Sequence, residues 1–299
     1  MSEAVDSSPA GLPRFNRSGQ RAARQLINSY STSFSLATRL LGPRTRADIT
    51  NLYAVVRIAD EIVDGTAAAA GLSREDIAAE LDAYESRVLA APSKPFHTDP
   101  VLHAFAGTAR RCGFREEHLR AFFASMRRDL HQTSYRTAGE LEEYVYGSAE
   151  VIGLLCLDVF VADHPVPPAD KARLEHGARR LGAAFQKINF LRDLHHDTHD
   201  LGRTYFPQLA SGHFNAAAKD ELVADIRADL SAARHAIDQL PLSARIGVAA
   251  ATELFTALNN DLADLSAAEV RTRRVRVSNP RKLALVARAA VTSLRTTLT

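Results

Sequence analysis

Leu52-Tyr-Ala-Val-Val-Arg-Ile-Ala-Asp-Glu-Ile-Val-Asp64 carries two aspartates four residues apart, Asp60 and Asp64. A second pair with the same spacing, Asp193-Leu-His-His-Asp197, follows Asn189. On a helix, side chains at i and i+4 stack on one face, roughly 6 Å apart. With Tyr53 set at zero, Arg57 falls at about 40°, Asp60 at about −20° and Asp64 at about 20°. These four residues form one narrow polar stripe, while Leu52, Val55, Val56, Ala59, Ile62 and Val63 occupy much of the remaining circumference. A helix that is apolar over most of its surface is buried. The stripe therefore lies in the interior or lines a cleft, where ionised carboxylates need partners. Arg57 and metal ions are the candidates.

The second pair follows the same logic. Gln186, Asn189, Asp193 and Asp197 fall within an arc of about 80°, and Ala184, Ile188, Leu191 and Leu194 take other sectors. Asn189 offers a neutral oxygen suited to a hard cation, and one Mg²⁺ takes one or two carboxylates, several waters and substrate phosphate oxygens. A single Asp-x-x-x-Asp is equally a solvated or ion-paired face. Two pairs on mostly apolar helices raise the metal reading level with that one and leave both open.

Working outward, the chain has 299 residues, 46% hydrophobic and 24% charged, enough for one large core or two modest ones. The formal net charge of +2 is too small to argue for a nucleic-acid partner. Cys112 and Cys156 show no Cys-x-x-Cys spacing and sit in apolar or helical surroundings, which fits core thiols in a reducing cytoplasm. The N-terminus has no signal-peptide pattern. The longest apolar run, Val151 to Ala162, contains Asp158 and is shorter than the roughly 20 residues a spanning helix takes.

Long Ala-, Leu- and Arg-rich segments separate a few Pro- and Gly-containing breaks, with no alternating strand pattern, so the fold class is all-α. Residues 1–16 have the composition of a disordered segment, and 17–299 make a single domain. Helices are expected over about 17–29, 30–41, 44–64, 73–90, 99–112, 115–131 and 138–162, then from Pro167 and Pro168 to the second Asp pair. After a loop over 198–214 come helices at 215–239, 243–265 and 279–297. Gly65 reads as a helix stop and Ser73-Arg-Glu-Asp76 as a helix start.

With Tyr30-Ser-Thr-Ser-Phe34, Tyr146-Gly-Ser-Ala-Glu-Val-Ile-Gly153, Ala184-Phe-Gln-Lys-Ile-Asn-Phe-Leu-Arg-Asp193 and Gly202-Arg-Thr-Tyr-Phe-Pro207 added to the first stretch, the chain resembles the head-to-head prenyl synthases, the squalene, dehydrosqualene and phytoene synthases. The nearest likeness is to phytoene synthases of carotenoid-making actinobacteria. The resemblance implies an isoprenoid-synthase-like helical bundle around a central apolar cavity. It also implies condensation of two geranylgeranyl diphosphates to phytoene through prephytoene diphosphate, with release of diphosphate. Two or three Mg²⁺ ions, with Mn²⁺ as a substitute, would be held by Asp60 and Asp64 on one side and Asn189, Asp193 and Asp197 on the other.

By the same likeness Arg57 pairs with diphosphate oxygens, Ser33 and Phe34 belong to a segment covering the head groups, and Tyr53 and Tyr144 line the reacting centre, where ring faces can stabilise a cation. Gln186 sits beside the metal amide, and Arg203, Arg274 and Lys282 are phosphate contacts. The bland alternatives are an Arg57 that merely neutralises Asp60, core tyrosines, an Arg203 that caps a loop, and a solvated basic run from Arg271 to Lys282. The pattern departs from relatives at Phe255, where some have a tyrosine, and at His195 and His196, where they often have Gly and Glu. Farnesyl diphosphate as substrate, giving dehydrosqualene or squalene, is the nearest rival, and a non-catalytic helical scaffold is a more distant one. Transient contact with a membrane surface, at the inner face of the plasma membrane, and with neighbouring carotenoid enzymes also goes with the resemblance.

Overall fold

The computed structural model describes residues 11–164 and 166–298. In chain order its helices are α1 (Gly11–Tyr30), α2 (Thr32–Thr38), α3 (Pro43–Val63), α4 (Thr66–Ala69), α5 (Arg74–Ala90), α6 (Pro100–Cys112), α7 (Glu116–Asp129), α8 (Ala138–Val145) and α9 (Val151–Val161). There follow α10 (Pro168–Arg192), α11 (Leu194–His199), α12 (Pro207–Ala210), α13 (Ala216–Ile237), α14 (Leu242–Ala263), α15 (Ala267–Val270) and α16 (Asn279–Leu298). Among the described residues the extended structure is an isolated parallel bridge between Ser134 and Thr204. The chain is all-α.

The helix boundaries follow local chemistry. Pro43 opens α3, where its missing N–H costs nothing, and Gly65 at φ +98° ends that segment as expected. Ser73 and Asp76 form a reciprocal capping box at the start of α5. Asp99 accepts from Val101 and Leu102 at the start of α6.

Four expectations change. Residues 11–16, placed by composition in a disordered segment, are helical. Phe15 packs against Phe96 and His103 at ring distances of 5.2 and 5.0 Å, and His103 Nε2 meets Asn16 Oδ1 at 2.7 Å. One anchoring aromatic outweighs the polar average, and residues 1–10 lie outside the described ones. The helix expected over 138–162 is interrupted by a π turn at Tyr146–Glu150. There Gly147 packs so closely on α7 that a Cβ would collide with Ser125 and the Ala121 carbonyl, and Ser125 Oγ donates to the Tyr144 carbonyl at 3.2 Å. The helix carrying the second Asp pair breaks at Asp193, so Asp193 caps α10 and Asp197 belongs to α11. The 198–214 loop contains α12, and α4 and α15 are further short helices that the sequence pattern does not anticipate.

One core cluster joins α3, α5, α6, α7 and α9 through residues such as Leu52, Val55, Leu81, Phe105, Phe122 and Leu155. A second joins α8, α10, α13 and α14 through Ala184, Ile188, Ile226 and Leu262. The two halves meet where α9 and α10 pack together, a contact that Gly153 permits because a Cβ there would strike the Ala178 carbonyl. The rod from Ala138 to Val161 is long and apolar enough to cross a membrane, which the shorter apolar run did not suggest. Yet 56% of its most apolar stretch is buried inside the fold, the position of a core helix.

Candidate active site

Between the two halves lies a cavity of about 900 Å³, at the upper end of the usual range for ligand sites. Every candidate named from the sequence, Ser33 and Lys282 included, lines this one cavity. One end is polar. α3 delivers Tyr53, Arg57, Asp60 and Asp64 as the wheel predicts, and α10 delivers Gln186, Asn189 and Asp193. The break at Asp193 preserves the second pair's relation, because Asp197 N–H still donates to the Asp193 carbonyl at 2.9 Å. The other end is apolar, with Cys156, Phe160, Leu174, Ile237 and Leu240 in its wall.

The carboxylates are crowded and under-compensated. Asp60 keeps 30% of its side chain exposed to the cavity yet is surrounded by protein. Burial first, then the Asp64 charge, pushes its pKa up to about 8 against the pull of Arg57. Burial and then Asp193 raise Asp197 to about 7. Asn189 Oδ1 is buried with no hydrogen-bond partner. Among the described residues no three His, Cys, Asp or Glu side chains stand close enough to hold an ion by themselves.

The arginines partner these acids. Arg203 Nη1 donates to Asp64 Oδ1 at 2.7 Å. Arg274 Nε meets Asp193 Oδ1 at 2.6 Å, and Arg192 also binds Asp193. Arg57 bonds to Glu61, stands 3.9 Å from Asp60, and lies over the Tyr30 ring at 4.3 Å. Burial alone would lower the Arg57 pKa, but the Glu61 bond and the Asp60 charge outweigh it and raise it. Lys282 Nζ donates to Thr32 Oγ1 at 2.9 Å, which ties α16 to the start of α2. Ser31 caps α2 by accepting from the Phe34 N–H, and this aims Phe34 at Tyr53, Phe185 and Phe255. Phe255 stacks on Phe185 at 3.9 Å. Burial pushes the Tyr53 phenol up to about 12.

Tyr144 is 2% exposed and belongs to an aromatic wall with Tyr135, Phe190 and Tyr205. Its hydroxyl donates to Asp129 Oδ2 at 2.9 Å. Asp129 also lines the cavity and has no signal in the sequence, where it ends a charged Arg127-Arg128-Asp129 run like any solvated helix terminus. Arg192 and Tyr205 likewise escape selection, although both stand inside stretches that carry the family resemblance. His195 and His196 turn elsewhere: His195 Nδ1 meets the Arg271 carbonyl at 3.0 Å and His196 Nδ1 meets Asp200 Oδ2 at 2.6 Å.

Known proteins share this arrangement of helices. The chain is 31% identical over 206 residues to a 4,4'-diapophytoene synthase of Staphylococcus haemolyticus, covering 69% of this chain and 68% of the relative. It is 32% identical over 185 residues to a 15-cis-phytoene synthase of a Paracoccus species, covering 61% of this chain and 58% of that one. With a chloroplastic phytoene synthase of Zea mays it shares 33% over 198 residues, 65% of this chain but only 42% of the maize protein. The matched segments thus span less than two thirds of both phytoene synthases. A crystal structure of a dehydrosqualene synthase in complex with ligand superposes with a TM-score of 0.77 at 21% identity, over 95% of this chain and 99% of that one. The family model described as squalene/phytoene synthase matches residues 27–281. The chain belongs to the squalene/phytoene synthase family.

Proposed function

We propose that the protein condenses two geranylgeranyl diphosphates head to head to phytoene, through prephytoene diphosphate. The observation that carries this reading is the meeting of two acidic faces at the polar end of one cavity whose remaining length is apolar. Diphosphates belong at the polar end and prenyl tails along the rest. On α10 the cavity wall runs from Asp193 to Leu174, 19 residues and so about 28 Å of helix. An extended sixteen-carbon prenyl backbone, at roughly 20 Å from standard C–C bond lengths, fits within that length and leaves room for the head group.

The oxygen donors Asp60, Asp64, Asn189, Asp193 and Asp197 fit Mg²⁺, or Mn²⁺ in its place. The orphaned Asn189 Oδ1 and the raised Asp60 and Asp197 are what a site built for added positive charge looks like. A set that cannot hold an ion by itself also suits a cation that keeps waters and takes substrate oxygens. Bound there, Mg²⁺ supplies Lewis-acid neutralisation of the leaving diphosphate. Arg57, Arg203, Arg274 and Lys282, which line the same cavity, would orient the phosphate oxygens. Phe34 and the aromatic wall exclude water from the carbocation, and Tyr53 and Tyr144 offer it their ring faces. Transient contact with a membrane surface and with other carotenoid enzymes goes with this reading, because substrate and product are oily.

A second reading keeps the chemistry and changes the chain length to farnesyl diphosphate, giving dehydrosqualene or squalene. The diapophytoene synthase among the relatives favours it. Incubation with Mg²⁺ and each diphosphate separately, with and without NADPH, followed by mass spectrometry, decides the matter. A forty-carbon hydrocarbon from the longer substrate without NADPH is expected. A thirty-carbon product from the shorter substrate alone moves the protein to the second reading, and no product from either removes both.

A further inference from the structure

We propose that Asp129 is the proton acceptor of the condensation, a positioning residue that works through the hydroxyl of Tyr144. The inference rests on the proposed reaction. When neither water nor a hydride donor captures the cation, a neutral hydrocarbon forms from it only by loss of a proton from carbon, and a cavity that excludes water must supply the base itself.

Asp129 differs from Asp64 and Asp193, whose carboxylates are bound by arginines. Among the hydrogen bonds of the described residues, its carboxylate has one partner, the Tyr144 hydroxyl at 2.9 Å. Its Oδ1 is buried with none. Were Asp129 merely the counter-ion of Arg203, the guanidinium would bind the carboxylate; instead Arg203 Nη2 donates to the Asp129 backbone carbonyl at 3.3 Å, and Nη1 goes to Asp64. Tyr144 is held by ring contacts with Tyr135, Phe190 and Tyr205, which keep its hydroxyl on Asp129, and both residues line the cavity.

The charged and titratable groups around Asp129 are Arg203, Asp64, Asp60, and the phenols of Tyr135, Tyr144 and Tyr205. Burial raises the Asp129 pKa to about 7, against the charge of Arg203 and the Tyr144 bond. Burial pushes the Tyr144 phenol well above its usual value, so a free phenolate is not the base.

The transfer balances. The C–H bond of the cation breaks and its electron pair becomes the new C=C bond. The proton goes to Tyr144 Oη as the hydroxyl's own proton passes to Asp129 Oδ2. Tyr144 stays neutral, Asp129 becomes a neutral acid, and its proton passes to water after the product leaves.

The test uses the full chain with Mg²⁺ and geranylgeranyl diphosphate, following diphosphate release, hydrocarbon and prenyl alcohols together. Asp129→Asn keeps an oxygen for the Tyr144 bond and should keep the helical circular dichroism. Hydrocarbon should fall about 100-fold or more while diphosphate release falls by no more than about tenfold, with water-quenched prenyl alcohols appearing instead. Tyr144→Phe combined with Asp129→Asn should be no worse than Tyr144→Phe alone, as for residues that act as a unit. Asp129→Glu, which keeps the carboxylate, should restore part of the hydrocarbon. Hydrocarbon and diphosphate release falling in step without alcohols, or effects that multiply in the double variant, overturn the relay. So does full hydrocarbon yield from Asp129→Asn, while a wild-type chain that makes no hydrocarbon at all removes the proposed function as well.

Discussion

Arg203 and Asp64 lie 139 residues apart in the chain and meet at 2.7 Å. The contact closes the polar end of the cavity, tying the segment after α11 to the end of α3. The bridge between Ser134 and Thr204 holds that segment in place, through Tyr135 N–H to the Thr204 carbonyl and Thr204 N–H to the Thr133 carbonyl. Arg203 is only 9% exposed, and its fork also serves the carbonyls of Val63 and Asp129.

Removing that fork leaves several buried acceptors and a carboxylate without a donor. Arg203→Ala should lower the unfolding free energy by roughly 2–3 kcal/mol, read from chemical denaturation. Arg203→Lys should recover less than half, because an ammonium cannot reproduce a planar fork with three acceptors. Full recovery by lysine would mean that charge alone matters at this position.

Asp60→Ala or Asp193→Ala should bring turnover below about one hundredth of the wild-type rate, the scale on which a charge-stabilising group acts. Their helical circular dichroism should stay close to wild type, since neither side chain belongs to the apolar clusters. Chelation of divalent cations should likewise abolish turnover, and Mg²⁺ or Mn²⁺ should restore it. Retained activity in both variants would remove the metal assignment.

The acidic faces were legible because i, i+4 spacing is a local property: once α3 forms, Tyr53, Arg57, Asp60 and Asp64 share a side wherever the helix packs. Most long helices were legible for the same reason, with Gly65 and Ser73 marking boundaries. What could not be read depends on tertiary approach. The π turn exists because Gly147 meets α7. Arg57 binds Glu61 rather than chiefly Asp60, a choice between neighbours one residue apart that the wheel does not make. Asp129 ends a charged run in the sequence, and only the packing of the π turn on α7 brings Tyr144, at the end of α8, to it. The helical state of residues 11–16 is not legible in their composition, because the contacts of Phe15 with Phe96 and His103 decide it.

Asp158 lies on α9, largely withdrawn from water, and its Oδ2 has no partner. Burial raises its pKa to about 6, with Arg115 and Lys171 pulling it back. The folded state therefore binds the extra proton more tightly than the unfolded one. Stability associated with this group is complete below the unfolded value near 3.8 and is lost as pH rises through about 6. Asp158→Asn, which carries no charge at any pH, should be more stable than wild type by roughly 2 kcal/mol at pH 8. The two should converge as pH falls toward about 4. Thermal unfolding at several pH values checks this; a difference that does not change with pH would show that the Asp158 charge is already satisfied.

The length of the apolar end should set the length of the product. Cys156 lines the cavity from α9, one turn before Phe160, and its thiol is kept neutral by burial, which pushes its pKa up to about 12. Cys156→Phe would project a ring into the space that the last carbons of a twenty-carbon tail occupy, while a fifteen-carbon tail should still fit. Lost contacts and crowding in an apolar pocket discriminate by about tenfold or more for a few carbons. The ratio of turnover on farnesyl to geranylgeranyl diphosphate, measured with both substrates in competition, should therefore rise at least about tenfold. Some loss of stability, about 1–3 kcal/mol from overpacking, would lower both activities but not their ratio. An unchanged ratio in a folded variant would place the end of the prenyl chain elsewhere in the cavity.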